Sequence, residues 1–284
     1  FVRGGTVNIT NCTLTGNTAA GTTDSSGGAI YASGATVTIT NCTLTSNKAK
    51  SNGGAVCAVK NGSTGAHITI SGGTIGGTGT DANTVTDPYG FGGGIYVNDG
   101  CTLTLNEYTD IFGGKHGGQI IGNEAGRAGG VRANNSTVTM ENCTISGNTA
   151  TDSTIFGGGG GVYTHGGTLT MTRCTLRGNT ANNNGGGMII EGGTAGMTNC
   201  TLTKNQAKNG GAIYAVKDSS GSDVTIEGGT IGGTGTDDAN KATGTGSEGN
   251  GGGIYVGAEC TVTLQNNDQN EGCTVKGNTA SQDG

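Results

Sequence analysis

Tryptophan is absent, proline occurs once, aromatic residues make up 4% and charged residues 12% of the 284 positions. The near absence of proline, with no Gly-X-Y period, excludes collagen although 62 residues are glycine. Only 31% of the residues are apolar, so an ordinary compact core is excluded. Those that are present recur in register, which excludes a disordered chain. No apolar run approaches the roughly 20 residues that cross a bilayer. Twenty acidic residues against 14 basic ones, thinly spread, give a net charge of -6 and no basic stripe to neutralise phosphates. Nucleic acid is therefore not an expected partner. Phe1 is not an initiator methionine, so the chain reads as processed or cut from a longer protein.

What the chain has is a repeat. Apolar-x-x-Asn elements such as Leu14 to Asn17, Leu44 to Asn47 and Leu202 to Asn205 are followed by Gly-Gly-x-apolar elements. The latter include Gly27 to Ile30, Gly53 to Val56 and Gly210 to Ile213. The period is about 25 to 41 residues, which marks a repeat array. Ahead of each element, Thr36-Val37-Thr38-Ile39-Thr40 and its equivalents alternate with period two, as a strand with one buried face does. Val37/Ile39, Ile68/Ile70, Leu103/Leu105, Val138/Met140 and Leu169/Met171 should point inward. The recurring asparagines Asn17, Asn47, Asn123, Asn148, Asn179, Asn205 and Asn278 are expected to stack at a turn. Asparagine tolerates the left-handed corner conformation and can bond its own backbone. Three short strands per coil with Gly and Asn corners predict an all-β, right-handed parallel β-helix of about nine coils. Loops of unequal length are expected at 76–91, 106–117 and 232–250. Residues 1–284 read as a single β-helix repeat domain, part of a longer array or assembly. A longer internal repeat relates 53–123 to 210–278, with Gly-Gly-Gly-Ile-Tyr-Val at 92–97 and 251–256.

Nine cysteines invite a disulfide framework. Yet Cys12, Cys42, Cys143, Cys174, Cys200 and Cys273 share one coil position, taken elsewhere by Gly73, Gly118 and Gly229. Small, inward and packed past a corner, these residues suit a ladder of buried free thiols. Disulfides between neighbouring coils are the alternative, opposed by side-chain vectors that run parallel. Cys57, Cys101 and Cys260 lie elsewhere, and the last two correspond in the longer repeat. Paired Cys-x-x-Cys spacing for a metal is missing.

Tyr31, Tyr96, Tyr163, Tyr214 and Tyr255 also share one position, which should face outward as an exposed row. Such a row could stack on sugar rings or anchor a partner protein, or it could simply pack across coils. Thr-x-Thr pairs such as Thr137/Thr139 and Thr168/Thr170 form a hydroxyl array of the kind ice-binding solenoids carry, but unequal coils should spoil its regularity. His67, His116 and His165 stand isolated, and the carboxylates Asp81, Asp87, Asp110, Asp237 and Asp238 sit in loops rather than as a strand-borne pair. No catalytic set follows from them. Gly-Thr-Gly-Thr-Asp loops could hold Ca²⁺ through oxygen ligands, without a diagnostic spacing. No cofactor and no other metal is expected. Asn-x-Thr triplets such as Asn41-Cys42-Thr43 coincide with packed repeat positions and make poor glycosylation sites.

The Gly-Gly-Ala-(Ile/Val) tetrads at 27–30, 53–56 and 210–213, each preceded by an x-x-Asn turn, resemble the paired motifs of the polymorphic outer membrane protein repeats. Leu14, Leu44, Ile145, Leu176, Leu202 and Val275 stand where that family has Phe. The resemblance implies a secreted or cell-surface, non-catalytic β-helix used in adhesion, often as an autotransporter passenger. Its partners would be surface glycans or proteins. Neither end of the chain shows a cap, and unpaired strand edges should join more of the same chain or another copy. A self-assembling extracellular filament is thus the structural alternative. A polysaccharide-active enzyme comes third.

Overall fold

The computed structural model describes residues 1–21, 25–235 and 238–283. Four parallel sheets of nine strands each run the length of the molecule. One central coil shows the plan: Val131–Asn134 belongs to sheet 1, Thr137–Glu141 to sheet 2, Thr144–Ser146 to sheet 3 and Thr149–Ala150 to sheet 4. The chain then passes to Val162–His165, back in sheet 1 and one coil on. Nine coils at the usual strand spacing make a rod on the order of 40 Å long. This is the parallel β-helix expected from the alternation, with a narrow fourth sheet of two-residue strands added to the three anticipated.

Alternation decides what is inside. In Thr137–Glu141, Val138 and Met140 are fully buried while Thr137, Thr139 and Glu141 line the outer surface. Val138 lies in register with Leu103 and Leu169, and Met140 with Leu105 and Met171. Similar columns from sheets 1 and 3 complete one continuous apolar core. Beneath sheet 4 the filling is small, with Ala49, Val85 and Ala125 in one cluster and Ala150, Ala181 and Ala207 in another. Ala195 and Met197 occupy the inward pair of a coil whose Thr-Ala-Gly-Met-Thr strand hides the alternation.

Two corner devices keep the coils superimposable. Before sheet 1 a left-handed residue turns the chain, a glycine in most coils and Ala128 in one: Gly53 has φ 62° and Ala128 φ 58°. The glycine after it allows contact between coils, since a Cβ on Gly54 would lie 2.1 Å from the Gly93 carbonyl oxygen. Between sheets 3 and 4 the left-handed residue is the one before the asparagine: Ser46, Gly147 and Lys204 have φ 56°, 62° and 59°. The asparagines themselves are not left-handed, contrary to the sequence expectation. Their stacking has a different physical basis.

Each asparagine turns its side chain inward and hands hydrogen bonds along the axis. Asn148 Nδ2 donates to Asn179 Oδ1 (3.0 Å) and to the Ile120 carbonyl of the preceding coil (2.9 Å). Its backbone N–H donates to Asn179 Oδ1 (3.1 Å), and its own Oδ1 accepts from the Asn123 N–H and Nδ2. Both amide protons and both lone pairs are used. The accepting carbonyl belongs to the apolar residue of the apolar-x-x-Asn element, so the two fixed positions of that motif are joined across coils. The column runs Asn17, Asn47, Asn83, Asn123, Asn148, Asn179, Asn205, Asn240, Asn278. Asn47 through Asn240 are fully buried.

Asn83 and Asn240 were not visible as members, because loops separate them from Ile75 and Ile231. Asn83-Thr84-Val85 and Asn240-Lys241-Ala242 do match Asn47-Lys48-Ala49 in following a polar residue with a small apolar one. The loops that cause the unequal spacing leave the same corners. One of them, after Asn106, forms an antiparallel hairpin of Tyr108–Thr109 and Lys115–His116.

Replacing Asn148 by Ala orphans buried donors and acceptors on Asn123, Ile120 and Asn179, each worth about 1–3 kcal/mol. The expected loss of stability is on the order of 4 kcal/mol, read as a lower urea midpoint. Asn17→Ala, at the exposed end of the column, should shift the midpoint little. Equal shifts for the two variants would contradict the role of the column.

Candidate interaction surface

On sheet 1 each strand sends alternate residues inward and leaves the residue between them outside. Val162 and Thr164 point in and are buried, so Tyr163 points out from the core. The register makes a single outer column of Tyr31, Cys57, Tyr96, Arg132, Tyr163, Ile189, Tyr214 and Tyr255. The five predicted tyrosines do share one face. They form an interrupted column, with adjacent rings only at Tyr214 and Tyr255, stacked at 4.6 Å.

The expectation of an exposed tyrosine row requires correction. Tyr96 and Tyr163 keep only 8% and 6% of their surface, and Tyr31, Tyr214 and Tyr255 are half-buried. Phe91 covers Tyr96, and Ala128, Arg132 and Ile189 cover Tyr163. Phe91 stacks on Tyr96 at 5.9 Å, and the Arg132 guanidinium lies 3.6 Å from the Tyr163 ring centre and 5.1 Å from that of Phe91. Arg132 is buried, and its Nε and Nη1 rest on ring faces without a hydrogen-bond acceptor. Arg127 stands among Tyr89, Phe91 and Phe156 and donates from Nε to Asp152 Oδ2 at 2.8 Å. Burial alone would push Asp152 up, but that bond and those from the Thr154 N–H and hydroxyl hold it below the usual carboxylate range. Tyr89, Ile155 and Phe156 remain exposed at 57%, 80% and 59%, as do Ile111 and Phe112 at the hairpin tip. Sequence reasoning missed these loop tips; the signal was adjacent large apolar residues in otherwise polar insertions.

Cys12, Cys42, Cys101, Cys143, Cys174, Cys200, Cys260 and Cys273 are free thiols. Cys42, Cys143, Cys174 and Cys200 are buried in the column predicted for them. Cys12 is exposed and Cys273 half-buried, in the first and last coils, where no further coil covers them. Neighbouring thiols and burial push Cys143 and Cys200 up, leaving Cys174 between them the readiest of the three to ionise. Cys101 and Cys260 accept the equivalent N–H groups of Ala66 and Ser222.

The histidines are engaged locally. His67 Nδ1 meets Thr102 Oγ1 at 2.9 Å, and His116 meets Asp110 Oδ2 at 3.0 Å. His165 lies 3.0 Å from Glu191 and 3.7 Å from Asp218. The Asp87 and Asp110 carboxylates accept N–H groups of their own loops, from Tyr89 and from Phe112 and Gly114. The bond to His116 and those N–H groups hold Asp110 below its ordinary value. Asp81 ends a single 3-10 turn, Asp238 lies 3.7 Å from Arg177, and Asp237 lies outside the described residues. Among the described residues no three His, Cys, Asp or Glu side chains converge as a metal-binding group. The unequal coils do not disturb the threonine rows of sheet 2, which stay in register. His67, Gly196 and Asp223 interrupt them instead.

Burial pushes Tyr96, Tyr163 and Tyr214 up to about 12, with nearby Cys57, Glu191 and Tyr255 adding to it and Arg132 opposing it at the first two. Because the folded-state values are raised, keeping these phenols neutral contributes stability below about pH 10. That contribution is lost as pH rises from there towards 12. Absorbance titration at 295 nm should therefore show two phases among the seven tyrosines. A single phase near pH 10 would mean that the column is open to water.

Three stretches, residues 11–33, 41–59 and 199–216, match the Chlamydia polymorphic membrane protein (Chlamydia_PMP) repeat. No curated protein and no solved structure matches the chain. Each matched stretch holds one buried or terminal column asparagine, Asn17, Asn47 or Asn205, and an intact Gly-Gly-Ala tetrad. The sequence pattern and the stacked coils thus describe one unit, and the three matched stretches, similar to the polymorphic membrane protein repeat, are coils of a parallel β-helix.

Proposed function

We propose that this chain is a secreted or surface-displayed, non-catalytic β-helix whose corner loops mediate adhesion. The observation that carries the reading is the contrast between rod and loops. The rod is polar outside, while Tyr89 and Phe156 stand in the open over Arg127, with Ile155 beside Phe156, on loops that vary from coil to coil. Exposed apolar groups concentrated in this way mark an interaction site. The polymorphic membrane protein repeats support display at a cell surface. No helix among the described residues is long and apolar enough to cross a membrane, which leaves any strand-built anchor open.

Beads coated with the chain should adhere to some members of a panel of animal epithelial and bacterial cells. The double variant Ile155→Ser, Phe156→Ser should reduce adherence about tenfold, as loss of a central apolar anchor does. Adherence unchanged by that variant would remove the loops from the account. Long fibres in electron micrographs, with no adherence to any cell, would favour end-to-end assembly instead.

A further inference from the structure

All four methionines of the chain, Met140, Met171, Met188 and Met197, fall in the three consecutive coils that also carry Cys143, Cys174 and Cys200. Met140, Met171 and Met197 stand in register at the last inward position of sheet 2, and each is followed three residues on by the cysteine of its coil. These six side chains keep 2% of their surface or less. The same inward position holds Leu105 in the coil before the block and Ile226 in the coil after it, so packing alone does not call for a thioether there.

The three thiols stand in a line. The Thr175 and Thr201 N–H groups donate to the Cys143 and Cys174 carbonyls at 2.8 and 2.9 Å, which holds successive cysteines one coil apart. Each Sγ–H donates to the carbonyl two residues back, on Glu141, Thr172 and Thr198, at 3.2, 3.4 and 3.6 Å, so the three side chains share one orientation. Their sulfurs therefore repeat at the coil spacing of about 4.8 Å. Cys174 is the middle one, and hydrogen bonds from the thiols on both sides favour its thiolate.

That spacing selects an occupant. Sulfurs in a line do not converge on one point, which excludes a tetrahedral ion such as Zn²⁺. A metal–sulfur bond is about 2.3 Å long, so an ion held in line by two sulfurs spans about 4.6 Å, close to one coil step. Univalent soft cations, Cu(I) foremost, accept two ligands in line, and thiolate with thioether is the ligand set that selects them. Such an ion needs no cavity, because it takes the place of the thiol proton between two sulfurs. The charge balances as well. The ion bonds to the Cys174 thiolate and to a neighbouring thiol sulfur, the Cys174 proton leaves to solvent, and the apolar core gains no net charge.

We propose that the core of these three coils binds a univalent soft cation, Cu(I) by preference, in line between the Cys174 sulfur and that of Cys143 or Cys200, beside the column of Met140, Met171 and Met197. This goes beyond the adhesin reading and does not depend on it. Cys12 and Cys42 are the other members of the cysteine column in adjacent coils. There Ile9 and Ile39 stand in place of methionine and Cys12 is exposed, so that pair lacks both the thioethers and the burial.

For the test, the reduced, folded full chain is treated with N-ethylmaleimide to block its accessible thiols. It is then given Cu(I) without oxygen in the presence of bicinchoninate, whose coloured complex reports the copper it captures. The wild-type chain should withhold one ion per chain from the chelator and release one proton. Cys174→Ala leaves Cys143 and Cys200 about 9.6 Å apart, too far for one ion to bridge, and should surrender the copper. Cys12→Ala should keep it. Gly73, Gly118 and Gly229 fill this position in other coils, so a small residue fits there. If Cys174→Ala nevertheless loses the fold by circular dichroism, the double variant Cys143→Ala, Cys200→Ala leaves Cys174 without a neighbour, with the same expected loss. No copper withheld by the wild-type chain, or copper withheld equally by Cys174→Ala, overturns the proposal.

Discussion

A buried asparagine in each interior coil sets the terms for the rest of this molecule. Seven primary amides with no access to water would be prohibitive if unpaired, at several kcal/mol each in an apolar surrounding. Here every interior amide is saturated by the coils above and below it, and all the amide dipoles run the same way along the rod. Hydrogen bonds in such chains polarise one another, and a column this complete admits only one vertical register. A slip by one residue in any coil would leave both that coil's asparagine and its neighbour's buried and unpaired.

Because register is set inside, the outside is free to vary. Between Ile75 and Asn83, and again between Ile231 and Asn240, the chain leaves the coil for a loop and returns to the same corner. The hairpin of Tyr108–Thr109 and Lys115–His116 does so between sheets 2 and 3. Loops that return to a fixed corner can carry apolar tips at little cost to the core, and two of them fold back over sheet 1. There Phe91 stacks on Tyr96, Arg127 stands over Phe91, and the column residue Arg132 lies on the Tyr163 ring, turning a column of outward side chains into a second, smaller packed layer.

How much of this could be read in advance depends on the distance between the residues concerned. Val138/Met140 and their equivalents declare an inward face within five residues, and Gly53-Gly54 declares a corner within two. The cysteine column was also legible, since only Cys or Gly occurs at that position. Asn83 and Asn240 were hidden because their loops break the local spacing. The burial of Tyr96 and Tyr163 was hidden more deeply: Phe91, Arg132 and Ile189, which cover them, stand at repeat positions that hold other residue types in other coils. The stacking of the asparagines was foreseen from their recurrence, but its cause was not. A turn residue and a buried ladder residue leave the same trace in a sequence, and only the left-handed φ of Ser46, Gly147 and Lys204 separates them.

Native-state hydrogen exchange tests the asparagine column most directly, because the backbone N–H of Asn47, Asn123, Asn148, Asn179, Asn205 and Asn240 donates to the next coil's side chain rather than to water. The amides of Asn47, Asn123, Asn148, Asn179, Asn205 and Asn240 should be among the slowest in the chain, exchanging only when the coils separate. If they exchange as fast as the exposed loop amides of Ile155 and Phe156, the column does not hold the coils in register and the account fails.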